Sequence, residues 1–304
     1  MSRRVPRPSS LVNGVRFVQC DIRDGRRLQA IIPRESAVFH LAAAKRGRNA
    51  EVWETNVEGT ANVVRAAIDA ESRRVVIFSS VHVYGPARPE HIADENDPAH
   101  PRGSYACSKL EAEIRALAVA EERGYPSVVL LRPGAVYGPC VPGAYMRLLH
   151  VLRVAPRMRM PLAAVRRTLV YVDDLVDAAL AVAQGNSVDG RTFNVTDGAV
   201  HRIEEIVDAV RRALGRPGTM KGVGGALLGA AADAVDVLFH AALRLPSPVR
   251  AGWAHWGSDI AADGTRISRE TPFAPRVDLV EGSRRVAAYM ESSRRGGEGS
   301  YYDG

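Results

Sequence analysis

The six residues Ser-Tyr-Ala-Cys-Ser-Lys, at positions 104 to 109, decide how the rest of this chain is understood. Positions i and i+4 lie on the same face of a helix, so Tyr105 and Lys109 are neighbours if this stretch is helical. An ammonium group beside a phenol favours the phenolate and lowers the pKa of the tyrosine. The spacing therefore predicts a tyrosine that exchanges protons near neutral pH.

Chance is a weak explanation for this spacing, because lysine is rare in the chain. The 304 residues include nine tyrosines but only three lysines, Lys45, Lys109 and Lys221. A random arrangement of that composition gives about 0.09 expected Tyr-x-x-x-Lys pairs. We therefore favour the functional interpretation over coincidence.

A β-branched run lies upstream of the pair. Residues 73–80, Arg-Arg-Val-Val-Ile-Phe-Ser-Ser, have the pattern of a buried strand that continues into Val-His-Val-Tyr-Gly. Open α/β sheets bind their ligands at the carboxyl ends of the strands. We therefore expect Ser80 to donate a hydrogen bond to a substrate oxygen while Tyr105 moves the proton. Capping of the strand end by Ser79 and Ser80 is the structural alternative.

Four stretches follow one another along the chain at a spacing that is jointly specific. They are Ser-Ser-Val-His-Val-Tyr-Gly (79 to 85), Tyr105 with Lys109, Leu-Arg-Pro-Gly-Ala-Val-Tyr-Gly-Pro (131 to 139) and Val-Tyr-Val-Asp-Asp-Leu-Val-Asp-Ala (170 to 178). Through them the chain resembles the extended short-chain dehydrogenase/reductase family, the NAD-dependent epimerases and dehydratases. The resemblance runs from residue 5 to residue 292.

The resemblance implies an α/β fold. We expect a truncated Rossmann-like parallel sheet with helices on both faces and a small C-terminal substrate-binding cap. Residues 1–140 and 168–196 are assigned to the dinucleotide-binding domain, and residues 141–167 and 197–292 to the cap. Residues 293–304 are rich in glycine and serine and are expected to be a disordered tail.

The same resemblance implies NAD or NADP as the cofactor. Asp21 follows a predicted strand at residues 15–20 and would hold the adenine, with a helix N-cap as its alternative role. Small residues after the next strand allow close approach of the dinucleotide, and an asparagine orders the cofactor side of the site. The expected cofactor-binding residues are Asp21, Ala42, Ala43, Asn56, Tyr105 and Lys109.

The glycine-rich turn that opens the family's dinucleotide site is not found before residue 79. Residues 4–9 look like the end of the family's second strand, so about 45 residues, one β-α-β unit, are expected to be missing. A gene start assigned too far downstream and a naturally shortened chain are the two explanations. We expect the chain as written to bind NAD(H) poorly, and residues 15–20 either to pair with residues 37–41 or to be loosely held.

A stretch rich in glycine, proline and arginine, residues 138–167, follows the third of these motifs. The resemblance implies that it covers the substrate. Guanidinium groups bind phosphate oxygens through paired hydrogen bonds, so its arginines are expected to clamp a diphosphate, with a solvated charged face as the alternative. Five of its six arginines form the expected cluster: Arg153, Arg157, Arg159, Arg166 and Arg167. The expected substrate-binding residues are His82, Arg153, Arg166 and Arg167.

The expected reaction is NAD(P)-dependent alcohol/ketone redox on a nucleotide sugar, because the arginine-rich stretch looks most like the family's 4-epimerases and 4-ketoreductases. Tyr105 would be the acid/base, Ser80 a hydrogen-bond donor and Lys109 a contact of the nicotinamide ribose. A hydroxysteroid-type or other small-alcohol dehydrogenase is one alternative. A non-catalytic relative that keeps the fold as a binding module is another.

Composition limits the other classes of function. The net charge of +7 comes mostly from arginines that are spread along the chain without a nucleic-acid module, so no nucleic-acid partner is expected. Cys20, Cys107 and Cys140 have no paired spacing, which indicates reduced thiols in a cytoplasmic protein and no metal site. No apolar run reaches the length of about 20 residues that a membrane span needs. A homodimer is one assembly that this interpretation allows.

Overall fold

A four-stranded parallel sheet forms the centre of the computed structural model. Its strands are β1 (Ala37–His40), β2 (Arg74–Phe78), β3 (Val128–Pro133) and β6 (Thr192–Val195), in the order β1-β2-β3-β6. Each neighbouring pair is parallel. The predicted α/β class is therefore confirmed. The structure describes residues 14–45, 47–87, 90–125, 127–154, 165–216 and 259–295.

The two central strands are buried on both faces, as their continuous apolar sequences require in a parallel sheet. Val75 and Ile77 of β2 face one apolar core, and Val76 faces the other. Val128 pairs with Val75 in the register between β2 and β3. The alternation places helices on both sides of this sheet.

Different helices cover the two faces of the parallel sheet. The first core receives residues from α1 (Gly25–Ile31), α3 (Gly59–Asp69) and α4 (Gly103–Glu122), whereas α6 (Val172–Gln184) packs into the second. A short helix, α2 (Asn49–Trp53), passes into α3 through the π-helical turn Glu54–Glu58. Such turns are frequent at functional sites.

A second, three-stranded sheet contains β4 (Ala135–Tyr137), β5 (Arg166–Tyr171) and β7 (Val200–Arg202). It packs in a core of its own with α5 (Ala144–Val154), α7 (Ile203–Ala213) and α9 (Leu279–Arg295). The helix α8 (Thr265–Glu270) belongs to the core that α6 shares with the parallel sheet. Strand β5 contributes Leu169 and Tyr171 to the core of this second sheet and Val170 to the core that α6 shares with the parallel sheet.

The predicted strand at residues 15–20 is not a strand in this structure. The segment is irregular apart from a single bridge residue, and it lies outside the four-stranded sheet, in which β1 is an edge strand of the described part. Val15 and Phe17 are exposed, as are Phe39 and Leu41 at the β1 edge. An alternating apolar pattern forms a strand only where a neighbouring strand covers it, and this edge is open among the described residues.

Helix α9 ends at Arg295, so residues 293–295, which were expected to begin a disordered tail, are helical. Residues 296–304, Arg157, Arg159 and residues 4–9 lie outside the described part. Among the described helices, none is long and apolar enough to cross a membrane. Within the same residues, no cluster of His, Cys, Asp and Glu side chains has the composition of a metal site.

Candidate active site

The end of β2 carries the serine of the site. Ser80 caps the 3₁₀ turn Val81–Tyr84: its Oγ accepts a hydrogen bond from the His82 backbone N–H at 3.3 Å and lies 2.9 Å from His82 Nδ1. The turn closes at Gly85, whose φ is +76°. A Cβ at Gly85 would lie 2.1 Å from the His100 carbonyl oxygen, so this close approach requires glycine.

Helix α4 brings the tyrosine and the lysine to the same place. Tyr105 lies in its first turn, and its ring meets the edge of His82 with centroids 6.5 Å apart. Lys109 lies one turn further on, and its Nζ donates to the Phe78 carbonyl oxygen at 2.5 Å. Ser80, His82, Tyr105 and Lys109 thus converge where β2 ends.

Burial controls the ionisation of this group. It raises the pKa of Tyr105, whereas the sequence led us to expect that Lys109 would lower it. The ammonium faces the Phe78 carbonyl, and burial lowers the pKa of Lys109 to about 8, with the Glu113 carboxylate opposing this change. Burial also lowers the pKa of His40 to about 3, and the nearby Lys109 charge adds to this effect, so His40 is neutral.

Asn56 joins the loop after β1 to the catalytic helix. Its Oδ1 accepts the Ala44 N–H at 2.7 Å, and its Nδ2 donates to the Ala44 carbonyl at 3.0 Å and to Ser108 Oγ at 2.9 Å. Thr60 Oγ1 donates to the Asn56 carbonyl at 2.5 Å and lies 2.9 Å from His40 Nε2. The sequence did not suggest Ser108 or His40 as site residues, although Ser108 lies within residues 104 to 109.

The other expected cofactor residues are Asp21, before α1, and Ala42 and Ala43, after β1. Asp21 holds the Arg23 guanidinium with two oxygens, at 2.8 Å for the shortest contact, and Arg23 also contacts Glu54. The alternative role of Asp21 as a helix N-cap is not seen, because Asp24 caps α1. Ala42 is half-buried and Ala43 is exposed.

Of the arginines expected to bind a diphosphate, the structure describes Arg153, Arg166 and Arg167. Arg153 lies in the last turn of α5, where its carbonyl accepts a hydrogen bond from Arg216. On β5, Arg166 forms a two-pronged pair with Asp259, which the sequence did not suggest as a partner. Arg167 is buried, and burial lowers its pKa to about 10 while Asp259 opposes the change.

The nicotinamide end of a dinucleotide fits the residues at the end of β2. The Ser79 hydroxyl is buried there without a hydrogen-bond partner in the described part of the chain. A buried polar group of this kind calls for a partner that a ligand can supply. Tyr105 and Lys109 lie beside the same strand end and carry groups that bind a ribose hydroxyl.

The chain matches the NAD dependent epimerase/dehydratase family over residues 1–196, and it therefore belongs to that family. The UDP-glucose 4-epimerase of Vibrio cholerae is 28% identical over 216 residues, which are 67% of this chain and 65% of the relative. This match thus spans just under two thirds of the epimerase. The dTDP-glucose 4,6-dehydratase of Streptomyces griseus is 29% identical over 299 residues, covering 92% of this chain and 78% of the relative.

A solved structure agrees with the fold. MoeE5 in complex with UDP-glucose and NAD has a TM-score of 0.73 and 25% sequence identity, covering 96% of this chain and 89% of MoeE5. The Rossmann-type fold implied by the sequence motifs is therefore confirmed. The family that the chain matches is one of NAD-dependent epimerases and dehydratases.

Proposed function

We propose that this protein catalyses alcohol/ketone redox on a nucleotide sugar, of the 4-epimerase or 4-ketoreductase type. The observation that carries the proposal is the convergence of Ser80, Tyr105 and Lys109 where β2 ends. Ligands of open parallel sheets bind at this end of the strands. The epimerase of Vibrio cholerae and the UDP-glucose complex of MoeE5 support a nucleotide sugar as the substrate class.

Each side chain has one role in this proposal. When bound, the nicotinamide supplies a hydride acceptor or donor. In the reducing direction the Tyr105 phenol gives its proton to the carbonyl oxygen of the sugar as the hydride reaches the carbonyl carbon, and in the oxidising direction the Tyr105 phenolate takes the proton from the sugar hydroxyl. Ser80 donates a hydrogen bond to the same oxygen, and Lys109 stabilises negative charge on the phenol oxygen. His82 lies between Ser80 and Tyr105 and contacts the sugar.

The basic strand β5 provides the other half of the site. Arg167 and Arg166 lie on β5, where Arg166 is paired with Asp259, and Arg153 lies in the last turn of α5. A guanidinium group binds diphosphate oxygens in preference to an uncharged alcohol. A nucleotide sugar fits this charge better than a steroid or a simple alcohol does. A homodimer and a cytoplasmic location stay predictions from the sequence.

A thermal-shift panel tests the substrate class. The protein is mixed with UDP-glucose, dTDP-glucose, UDP alone, a hydroxysteroid and a small aliphatic alcohol. We expect the UDP and dTDP ligands to raise the melting temperature, because a ligand that binds only the folded state stabilises it. Stabilisation by the steroid or the alcohol alone would contradict the proposal.

Cofactor binding is tested separately by titration with NADH and NADPH, followed by nicotinamide fluorescence. We expect one of the two to bind, although weakly, because no glycine-rich turn precedes residue 79. The variant Ser108→Ala should bind it more weakly still, because Ser108 anchors Asn56 and the loop after β1. Tyr125→Phe is the control, because it removes a phenol bonded to the Ser72 carbonyl, which lies before the start of β2 and so at the opposite end of that strand from Ser80. If neither cofactor binds, the proposed redox chemistry is contradicted.

A further inference from the structure

Glu113 lies one helical turn beyond Lys109 on α4 and is almost completely buried. Its two carboxylate oxygens accept hydrogen bonds from Arg132 of β3, at 3.0 Å from Nε and 2.6 Å from the terminal nitrogen. The side chain of Glu113 is 3% exposed and that of Arg132 is 10% exposed. This is a two-pronged ion pair that is shielded from solvent.

The far side of Arg132 is fixed as well. Its other terminal nitrogen donates to the Tyr84 hydroxyl at 2.9 Å, and Tyr84 in turn donates to Asn194 Oδ1 at 2.9 Å. The guanidinium also lies over the Tyr84 ring, 4.9 Å from its centroid. Tyr84 is the last residue of the turn that Ser80 begins. The ion pair is therefore held rigidly in the same place as the proposed site.

Stability alone does not account for a pair of this kind. The cost of removing both charges from water commonly equals or exceeds their mutual attraction, and apolar side chains of the same volume are often at least as stable. The position of Glu113 is what suggests a role. Its carboxylate lies on the same helix as Lys109 and one turn further on, so the two side chains share a face. The Glu113 carboxylate, fixed at this position, favours the charged form of Lys109.

We propose that Glu113 is a positioning residue that acts through Lys109, its carboxylate held by Arg132 so that the lysine at the reaction site keeps its positive charge. The proposal rests on the proposed function for its catalytic meaning. It makes a claim about the charge of Lys109 that is measurable in the protein alone.

The groups that face Lys109 set the direction of the expected change. Glu113 faces it from α4 and raises its pKa, whereas Lys45, after β1, lowers it. His40 of β1 is neutral, and Tyr105 is a protonated phenol at neutral pH. Glu113 is therefore the group that offsets part of the burial effect, and its neutralisation lowers the pKa of Lys109.

The low lysine content makes this change directly observable. Protein labelled with ¹³C at lysine Cε gives signals from only Lys45, Lys109 and Lys221, and Lys109→Arg assigns the one of interest. In Glu113→Gln we expect the titration midpoint of Lys109 to fall by about one pH unit or more, as removal of a nearby opposite charge requires. An unchanged midpoint would overturn the proposal.

Two further variants separate charge from folding. Glu113→Asp keeps the carboxylate, and we expect it to restore most of the wild-type midpoint. Asp189→Asn removes the carboxylate paired with the buried Arg74 at the opposite end of β2, about 13 Å of strand away from Phe78. We expect that control to lower the melting temperature without moving the Lys109 midpoint. A shift in the control as large as in Glu113→Gln would contradict the proposal.

Loss of folding in Glu113→Gln is covered by the double variant Glu113→Gln with Arg132→Met. This variant leaves no unpaired buried charge, and we expect it to fold and still to lower the midpoint. A midpoint equal to that of the wild type overturns the proposal in this case too. Absence of turnover in the wild type counts against the proposed function only, because the lysine titration needs neither cofactor nor substrate.

Discussion

Two buried regions of this molecule each contain a completely buried serine, but only one of them contains groups of the proposed reaction. The lysine site, which we define as Ser108, Lys109, Glu113 and Arg132, buries charged groups beside the ends of the parallel strands. The tyrosine core, which contains Tyr137, Tyr145, Tyr171 and Ser283, packs phenols between β4, β5, α5 and α9. Burial raises the pKa of Tyr137 and Tyr145 far above the ordinary range, so these phenols stay neutral.

One serine in each region shows the difference between the two regions most clearly. Ser108 and Ser283 are both completely buried. Ser108 Oγ accepts from Asn56 and donates to the Tyr105 carbonyl at 2.8 Å, whereas Ser283 Oγ pairs with the Tyr145 hydroxyl and donates to the Leu279 carbonyl at 2.5 Å. The local chemistry is the same in both places. The difference is that only the first serine is joined to groups that carry the proposed reaction.

The largest expected effect separates two tyrosines, Tyr105, which is half-buried, and Tyr145, which is buried in the tyrosine core. Tyr105→Phe removes the proposed acid/base, and we expect kcat for nucleotide-sugar turnover to fall by about 100- to 10,000-fold with little change in ligand binding. Tyr145→Phe removes a phenol from the tyrosine core and is expected to leave kcat within about twofold, since that loss affects only stability. Steady-state kinetics of both variants checks this. Equal losses of kcat would erase the distinction between the regions.

The next effect concerns stability and has the opposite sign. Burial lowers the pKa of Lys109 from 10.5 to about 8, so the charged form costs about 3 kcal/mol of folding free energy at neutral pH. We expect Lys109→Met to raise the free energy of unfolding by an amount of this order while abolishing turnover. Urea denaturation at neutral pH measures it.

The pH dependence of stability follows from the same group. Because the folded-state pKa is depressed, its contribution to stability is fully present above 10.5 and is lost as the pH falls through about 8. The free energy of unfolding of the wild type should therefore gain a contribution as the pH rises between these values, and Lys109→Met should lack it. Identical pH profiles for the two proteins would show that Lys109 is not a buried cation.

The smallest effect divides the two serines. We expect Ser108→Ala and Ser283→Ala each to lower the free energy of unfolding by about 1 to 3 kcal/mol, because each leaves a buried partner unsatisfied. Only Ser108→Ala should also weaken NAD(P)H binding, because it releases Asn56 and the Ala44 backbone. Denaturation and fluorescence titration together check the pair. A matching loss of cofactor affinity in Ser283→Ala would contradict the comparison.

Much of the fold was predictable, since its signals are local. The apolar run before Ser80 forms β2, the stretch around Tyr105 opens α4, and the parallel sheet is confirmed. Strand direction and helical spacing then suffice to place Ser80, Tyr105 and Lys109 together. Residues 15–20 have the same kind of local pattern and form no strand, because pairing depends on a neighbouring strand that the local pattern does not specify.

The rest of the site depends on contacts that no local pattern encodes. Asp259 pairs with Arg166 from 93 positions further along the chain, and Arg132 reaches Glu113 from another element. The pKa of Tyr105 followed burial, which is a property of the packed structure, while the spacing with Lys109 suggested the reverse. The sequence thus supplied the reacting groups and not the electrostatic surroundings that tune them.

The central claim is that Tyr105 moves a proton while hydride passes between a nucleotide sugar and a nicotinamide. The most direct measurement mixes the protein with NAD(P) and UDP-glucose or dTDP-glucose in a single-turnover experiment and follows the absorbance of the reduced nicotinamide. We predict that reduced nicotinamide forms in the wild type and is lost in Tyr105→Phe, while Tyr145→Phe behaves as the wild type does. Reduction at an undiminished rate in Tyr105→Phe, or none in the wild type with NAD(P) and either sugar bound, would contradict this account.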